Sequence, residues 1–203
     1  FFLKYDCDHL KRLLLAPLLL LITSCSTQQV NQPVIEREPT SAISEEIDEF
    51  DNSTRWNYSL WSINKVSNDY GILEEVSLSL TCTKYAQPQS YSRGSVRFVI
   101  SPPSSLRLSY GGNYADFKWD DAQPELIEYD HQSGSYGDYA YFYYPKKLLR
   151  KLTNHQKLQI RYSTLTQGLQ TAEFALTGKN KSYFNYFPIE KDIAELIKKC
   201  DSI

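Results

Sequence analysis

Histidine, methionine, glycine and long apolar runs are all scarce in this chain, and the shortages close off classes of function. Three histidines occur in 203 residues, and His9 falls in the leader described below. His131 and His155 are therefore the whole supply for a triad or a metal centre. Neither lies in H-E-x-x-H, and the eight glycines form no phosphate-cradling loop and no G-x-S-x-G elbow. A redox thiol pair usually sits in C-x-x-C, which is also missing. No methionine is present, so the sequence as given is expected to lack its initiator. The net charge of −2 offers no surplus for neutralising phosphates, which argues against nucleic acid as a partner. We expect no catalytic residue, no metal and no cofactor.

What is present begins with an address. Lys4, Lys11 and Arg12 precede an apolar run from Leu13 to Ile22, followed by Thr23-Ser24-Cys25. This is the charged start, short greasy core and small-residue exit of a secretory signal. Spanning a bilayer takes about 20 apolar residues, and this run has ten, one of them Pro17. The ending Leu21-Ile22-Thr23-Ser24-Cys25 resembles the lipobox of bacterial lipoproteins. That resemblance implies removal of residues 1–24, acylation of Cys25 with palmitate-type chains, and two or three acyl groups as a stable anchor. Ser26 at the following position implies the periplasmic face of the outer membrane. The alternative is an ordinary signal with a cysteine at its exit by chance.

Residues 25–54 differ from the rest. They hold seven carboxylates and two prolines with little to bury, and read as an acidic flexible tether. Its contour would be roughly 100 Å. A short helix is possible in it, because Ile43, Ile47 and Phe50 follow Ser41 at helical spacing.

Residues 55–203 read as one β domain. Val76, Leu78, Leu80 and Cys82 alternate with Glu75, Ser77, Ser79 and Thr81, the pattern of a half-buried strand. SVRFVI, LRLSY, YADFKW, ELIEYD, DYAYFYY, KLQIRYS and TAEFALT read alike, separated by SPPS, YGGN, DDAQP, HQSGSYG and TQG. Short strands at such spacing predict an antiparallel β-sandwich. Two helices interrupt it. PKKLLRKL opens on Pro145, and PIEKDIAELIKKC aligns Ile189, Ile193, Leu196, Ile197 and Cys200 in one apolar stripe.

Four cysteines reduce to two once Cys7 leaves with the signal and Cys25 is acylated. Cys82 faces inward on its strand and Cys200 inward on its helix. In an oxidising compartment the expected outcome is a Cys82–Cys200 disulfide, the alternative being two separate buried thiols. His155 reads as a solvated loop residue. Asp130, His131 and Asp138 lie close in sequence but lack calcium-loop spacing, so YDHQSGSYGDY reads as a Gly-Ser hairpin tip.

DYAYFYY carries the main binding signal. Tyr139, Tyr141 and Tyr143 share one face of a strand, while Ala140, Phe142 and Tyr144 share the other. Tyrosine favours interfaces, so the first set is a candidate partner-binding ledge. The alternative is a Tyr-rich core with its hydroxyls at the rim.

Trp56, Cys82, Trp119, Leu158, Arg161, Ala172, Phe174, Leu176, Gly178 and Cys200 together resemble the small periplasmic accessory proteins of type VI secretion (the VasI/TagO group). Similar strand-pair-plus-helix endings occur in other secreted modules, including invasion-associated locus B-like proteins. The resemblance implies a β-sandwich and an accessory role. The expectation for function is a lipid-anchored, non-enzymatic module that binds an envelope protein or peptidoglycan. An inhibitor, immunity or exclusion lipoprotein that neutralises an incoming factor is the alternative.

Overall fold

The structure is a computed structural model that describes residues 42–85, 95–135, 137–181 and 186–203. The leader, Cys25 and the tether as far as residue 41 lie outside the described residues. The chain divides after Arg37, and every described residue belongs to the second unit.

Thirteen strands occur among the described residues, in chain order β1 (Ser44–Asp48), β2 (Ser53–Trp61), β3 (Val66–Ser67), β4 (Leu73–Glu74), β5 (Ser77–Lys84), β6 (Val96–Ser101), β7 (Asn113–Trp119), β8 (Glu125–Gly134), β9 (Gly137–Phe142), β10 (Lys157–Thr164), β11 (Gly168–Ala175), β12 (Lys179–Lys181) and β13 (Tyr186–Pro188). Helix α1 (Pro145–Lys151) separates β9 from β10, and α2 (Ile189–Asp201) ends the fold. Nine strands make one sheet in the order β1-β2-β5-β6-β9-β8-β7-β10-β11, antiparallel throughout.

The expected mainly β, sandwich-like architecture is present, built from one sheet folded over. Its last strand is fastened to the chain just beyond β2. The Ile63 N–H donates to the Glu173 carbonyl at 2.7 Å, and the Asn64 side chain meets the Thr171 carbonyl and the Glu173 N–H at 2.7 Å each. Phe98 of β6 and Phe117 of β7 consequently meet at 5.9 Å between ring centroids, although β9 and β8 separate their strands. Phe142 packs edge-on against Phe117 at 4.7 Å. The alternation read from the sequence holds: Val76, Leu78, Leu80 and Cys82 are fully buried. Leu148, Leu149 and Leu152 from the α1 side and Ile193, Leu196 and Cys200 from α2 complete the core.

Two local expectations change. Residues 44–48 form the edge strand β1 rather than a helix, paired to β2 from Ser44↔Asn57 to Asp48↔Ser53, and so join the sheet. The spacing of Ile43, Ile47 and Phe50 has no helical packing to serve, since Ile47 and Phe50 are 64% and 98% exposed. Acidic side chains instead make the β1–β2 turn. Asp48 Oδ1 accepts the Phe50 N–H at 2.9 Å and Asp51 Oδ1 the Ser53 N–H at 2.8 Å, local bonds that favour turns over helix. The second change is LRLSY, which contributes one isolated bridge, Leu106↔Thr164. Leu106 is buried, but Leu108 is 54% exposed, so the alternation has no second buried position to hold a strand.

Both helices dock through the same device. Trp56 on β2 donates its indole N–H to Glu45 Oε2 at 2.7 Å, and Lys199 of α2 lies 5.2 Å from the ring centroid. Trp119 on β7 donates to Glu125 Oε1 at 2.7 Å, and Lys151 of α1 lies 5.4 Å from that ring. Lysine stems cover apolar rings while their heads pair with the glutamates.

Candidate functional site

The β8–β9 hairpin positions the residues singled out from the sequence. Its register sets Asp130 opposite Tyr141 and Gln132 opposite Tyr139 on the outer face, with Tyr129 opposite Phe142 inside. Gly137 takes φ +124° at the turn, and a Cβ on Gly134 would sit 2.8 Å from the Tyr139 ring. The glycines thus allow the hairpin to close and Tyr139 to lie across it. The outer ring of Tyr139 lies 6.5 Å from that of Tyr141.

Tyr139, Tyr141 and Tyr143 therefore do share the outer face, and Ala140 and Phe142 are in the core. Tyr144 departs from the expected alternation. It lies beyond the strand in a left-handed conformation (φ 57°, ψ 45°) and immediately precedes α1, the residue being 76% exposed. A non-glycine residue in this region is uncommon and stores backbone strain.

A groove opens where β6 and β9 part. They pair only at Val99↔Tyr141 and Ile100↔Ala140. Beyond that point the strands diverge around a cavity of about 530 Å³, with Arg97, Asp130, Tyr141, Tyr143 and Tyr144 in its walls. Tyr143 donates its hydroxyl to Asp130 Oδ1 at 2.8 Å. This bond, then burial and the Asp130 and Glu128 charges, pushes the Tyr143 phenol up. The Arg97 side chain, half-buried across the groove, has no hydrogen-bond or ion-pair partner among the described residues.

His131, Ser133 and Asp138 come together, but not as a proton relay. His131 Nε2 is 3.1 Å from Asp138 Oδ2 and 3.4 Å from Ser133 Oγ. A relay would use one imidazole nitrogen for the carboxylate and the other for the nucleophile. Here a single nitrogen faces both, and the Ser133 hydroxyl donates directly to Asp138 Oδ1 at 2.9 Å. Asp138 Oδ2 also accepts the Leu106 N–H at 2.8 Å. Burial alone would raise the Asp138 carboxyl, but the bonds from Leu106, Ser133 and His131 together hold it below the usual aspartate range. The cluster fastens the segment after β6 to the hairpin.

His155 is also placed by structure rather than by solvent. Its Nδ1 lies 2.9 Å from Asp120 Oδ2, and its ring is 5.2 Å from that of Trp119. Asp120 Oδ1 accepts the Gln156 and Lys157 N–H groups at 2.9 Å each. The His155 bond, followed by those backbone bonds, outweighs burial and lowers the Asp120 carboxyl. The reading of a solvated loop residue is thereby corrected; its fixed partner, Asp120, lies 35 residues away in sequence. Among the described residues, no three His, Cys, Asp or Glu side chains converge as metal ligands, and no helix is long and apolar enough to cross a membrane.

Cys82 and Cys200 meet as a buried pair at disulfide distance, with Cα atoms 5.3 Å apart, inside the range a bridge requires. Cys25 lies outside the described residues. Sequence reasoning missed Arg97 and Tyr144, because the groove depends on where two strands that are not neighbours in sequence, β6 and β9, cease to pair. The only local signal was Pro145, whose ring disfavours helical conformation at the residue before it.

No protein-family model matches this chain, and no curated protein matches it. Among solved structures, it is similar to invasion associated protein B from Bartonella henselae, at a TM-score of 0.45 and 11% identity, covering 82% of this chain and 98% of that one.

Proposed function

We propose that this chain is a periplasmic lipoprotein of the outer membrane whose β domain binds an envelope protein or peptidoglycan without catalysing a reaction. The observation that carries this reading is the tyrosine-walled groove between β6 and β9, where Tyr141 and Tyr143 stand on the outer face beside Arg97, whose side chain has no partner among the described residues. Tyrosine and arginine are the residue types enriched at the centres of interfaces. The Leu21-Ile22-Thr23-Ser24-Cys25 ending supports acylation at Cys25, with the acidic segment after it as a spacer. Association with a secretion machine rests on the VasI/TagO resemblance.

Crosslinking and pull-down from cells, comparing the native chain with Y139S/Y141S/Y143S, tests the groove. We expect the native partner to be lost from a variant that keeps its circular dichroism spectrum. An unchanged set of partners removes the tyrosine face from the site. Labelling with an alkyne fatty acid tests the anchor: label should enter the native chain and be absent from Cys25→Ser, and a native chain without label rejects lipidation.

A further inference from the structure

The groove continues onto α1, and the charges along this path have one sign in excess. A second hollow, about 650 Å³, shares Tyr144 and Pro145 with the first and is lined by Lys146, Lys147, Arg150 and Lys151. Arg150 is paired with Asp201 at 2.8 Å and Lys151 with Glu125. Lys146 and Lys147 are exposed and form no ion pair with a described residue. Asp130, the carboxylate in the groove wall, is engaged by the Tyr143 hydroxyl, and Glu128 lies two residues away on the same face of β8. Among the described residues, Arg97 and Lys146 thus have no charge partner and Lys147 reaches Glu125 only through its charge, all three beside three tyrosine rings.

Resting on the binding role proposed above, we infer that this path docks an extended acidic segment of a partner protein. Its backbone runs from the open side of β6 across Tyr144 to α1. Arg97 donates bidentately to a carboxylate, a geometry that its planar fork provides and a lysine cannot. The rings of Tyr141, Tyr143 and Tyr144 cover the apolar parts of the segment. Lys146 and Lys147 receive further carboxylates at solvent-exposed positions, where they set the association rate and salt dependence more than the affinity.

The test is fluorescence anisotropy on the full chain with a labelled octa-glutamate peptide, an octa-glutamine peptide as control, and vesicles containing phosphatidylglycerol as a separate arm. The glutamate peptide should bind more tightly than the glutamine peptide and lose affinity as salt rises. Arg97→Gln should weaken it by about tenfold, the loss of one charge-assisted hydrogen-bonded pair. The exposed double change K146S/K147S, which leaves the core untouched, should weaken it by about threefold. Equal affinity for the two peptides, or no effect of either change, overturns the inference. Binding to the vesicles but not to the glutamate peptide also overturns it, in favour of an anionic lipid surface. A photocrosslinking residue at Tyr143 in cells separates this inference from the binding role itself. An adduct that persists in Arg97→Gln and K146S/K147S rejects the acidic partner and keeps the groove, whereas no adduct in any form rejects the groove.

Discussion

Trp56 and Trp119 sit in two nearly identical clamps, yet only one is backed by a cysteine pair at disulfide distance. Each indole donates to a glutamate on the neighbouring strand or its edge at 2.7 Å, and each ring is covered by a helix lysine. At Trp56 the cross-strand partner is Cys82, which meets Cys200 one residue after Lys199. At Trp119 the additional contacts are noncovalent, with the His155 ring and the Phe117 ring. Chain topology explains the difference. Helix α1 lies between β9 and β10, both inside the sheet, so it cannot leave without disturbing strands on either side. Helix α2 instead follows β13, which pairs with β12 outside the nine-stranded sheet. The cysteine pair stands at the helix whose preceding strand lies outside the nine-stranded sheet.

Removing the link is the most severe way to break that comparison. The bridged residues are 118 apart in sequence, and closing a loop of this length stabilises by about 4–5 kcal/mol in the chain-entropy model. The double change C82A/C200A should lower stability by roughly that amount in urea unfolding. Hydrogen exchange should rise in 189–201 before it rises in 145–151. Equal loss of protection in both helices would show that α2 is not selectively dependent on the link.

Truncating each tryptophan sharpens the comparison. Trp119→Ala removes a core ring that is 3% exposed and should cost about 3–5 kcal/mol. Trp56→Ala, at a site 9% exposed and beside the link, should cost less while the link is intact. In C82A/C200A the cost of Trp56→Ala should grow, because both changes then act on the same docking. Additive effects from a double-mutant cycle would mean that the clamp and the link act independently.

The sequence made some of these parts readable and left others hidden. Inward alternation at Val76, Leu78, Leu80 and Cys82 and the apolar stripe through Cys200 were legible because burial follows a strand or helix period. The pairing of Cys82 with Cys200 followed from those two faces. Edge strand β1 was not legible, since all five of its residues are exposed and its pairing depends on β2 rather than on its own pattern. The outer tyrosines could be assigned to one face, but the groove beside them could not. It arises where β6 and β9 stop pairing and from the left-handed turn at Tyr144. Two carboxylates read as parts of a turn and of the tether, Asp120 and Glu45, are fixed partners of His155 and Trp56.

The smallest effect should come from the lysines, and it separates the clamps by pH. Lys199→Met and Lys151→Met each keep an apolar stem over the ring and remove a partly exposed ion pair, for a loss of about 0.5–1 kcal/mol. Glu125 adds a titration to the second. Burial alone would raise its carboxyl, but the bonds from Lys151 and Trp119, with the Lys147 charge, hold it below the usual glutamate range. A carboxyl lowered by folding contributes stability that is fully present above the unfolded glutamate value of about 4.3. That contribution is lost as pH falls through the lower folded value. Lys151→Met should therefore flatten the fall in urea midpoint below about pH 4 as well as lowering stability at neutral pH. An acid limb in Lys151→Met as steep as in the native chain would mean that the lysine does not hold Glu125 ionised.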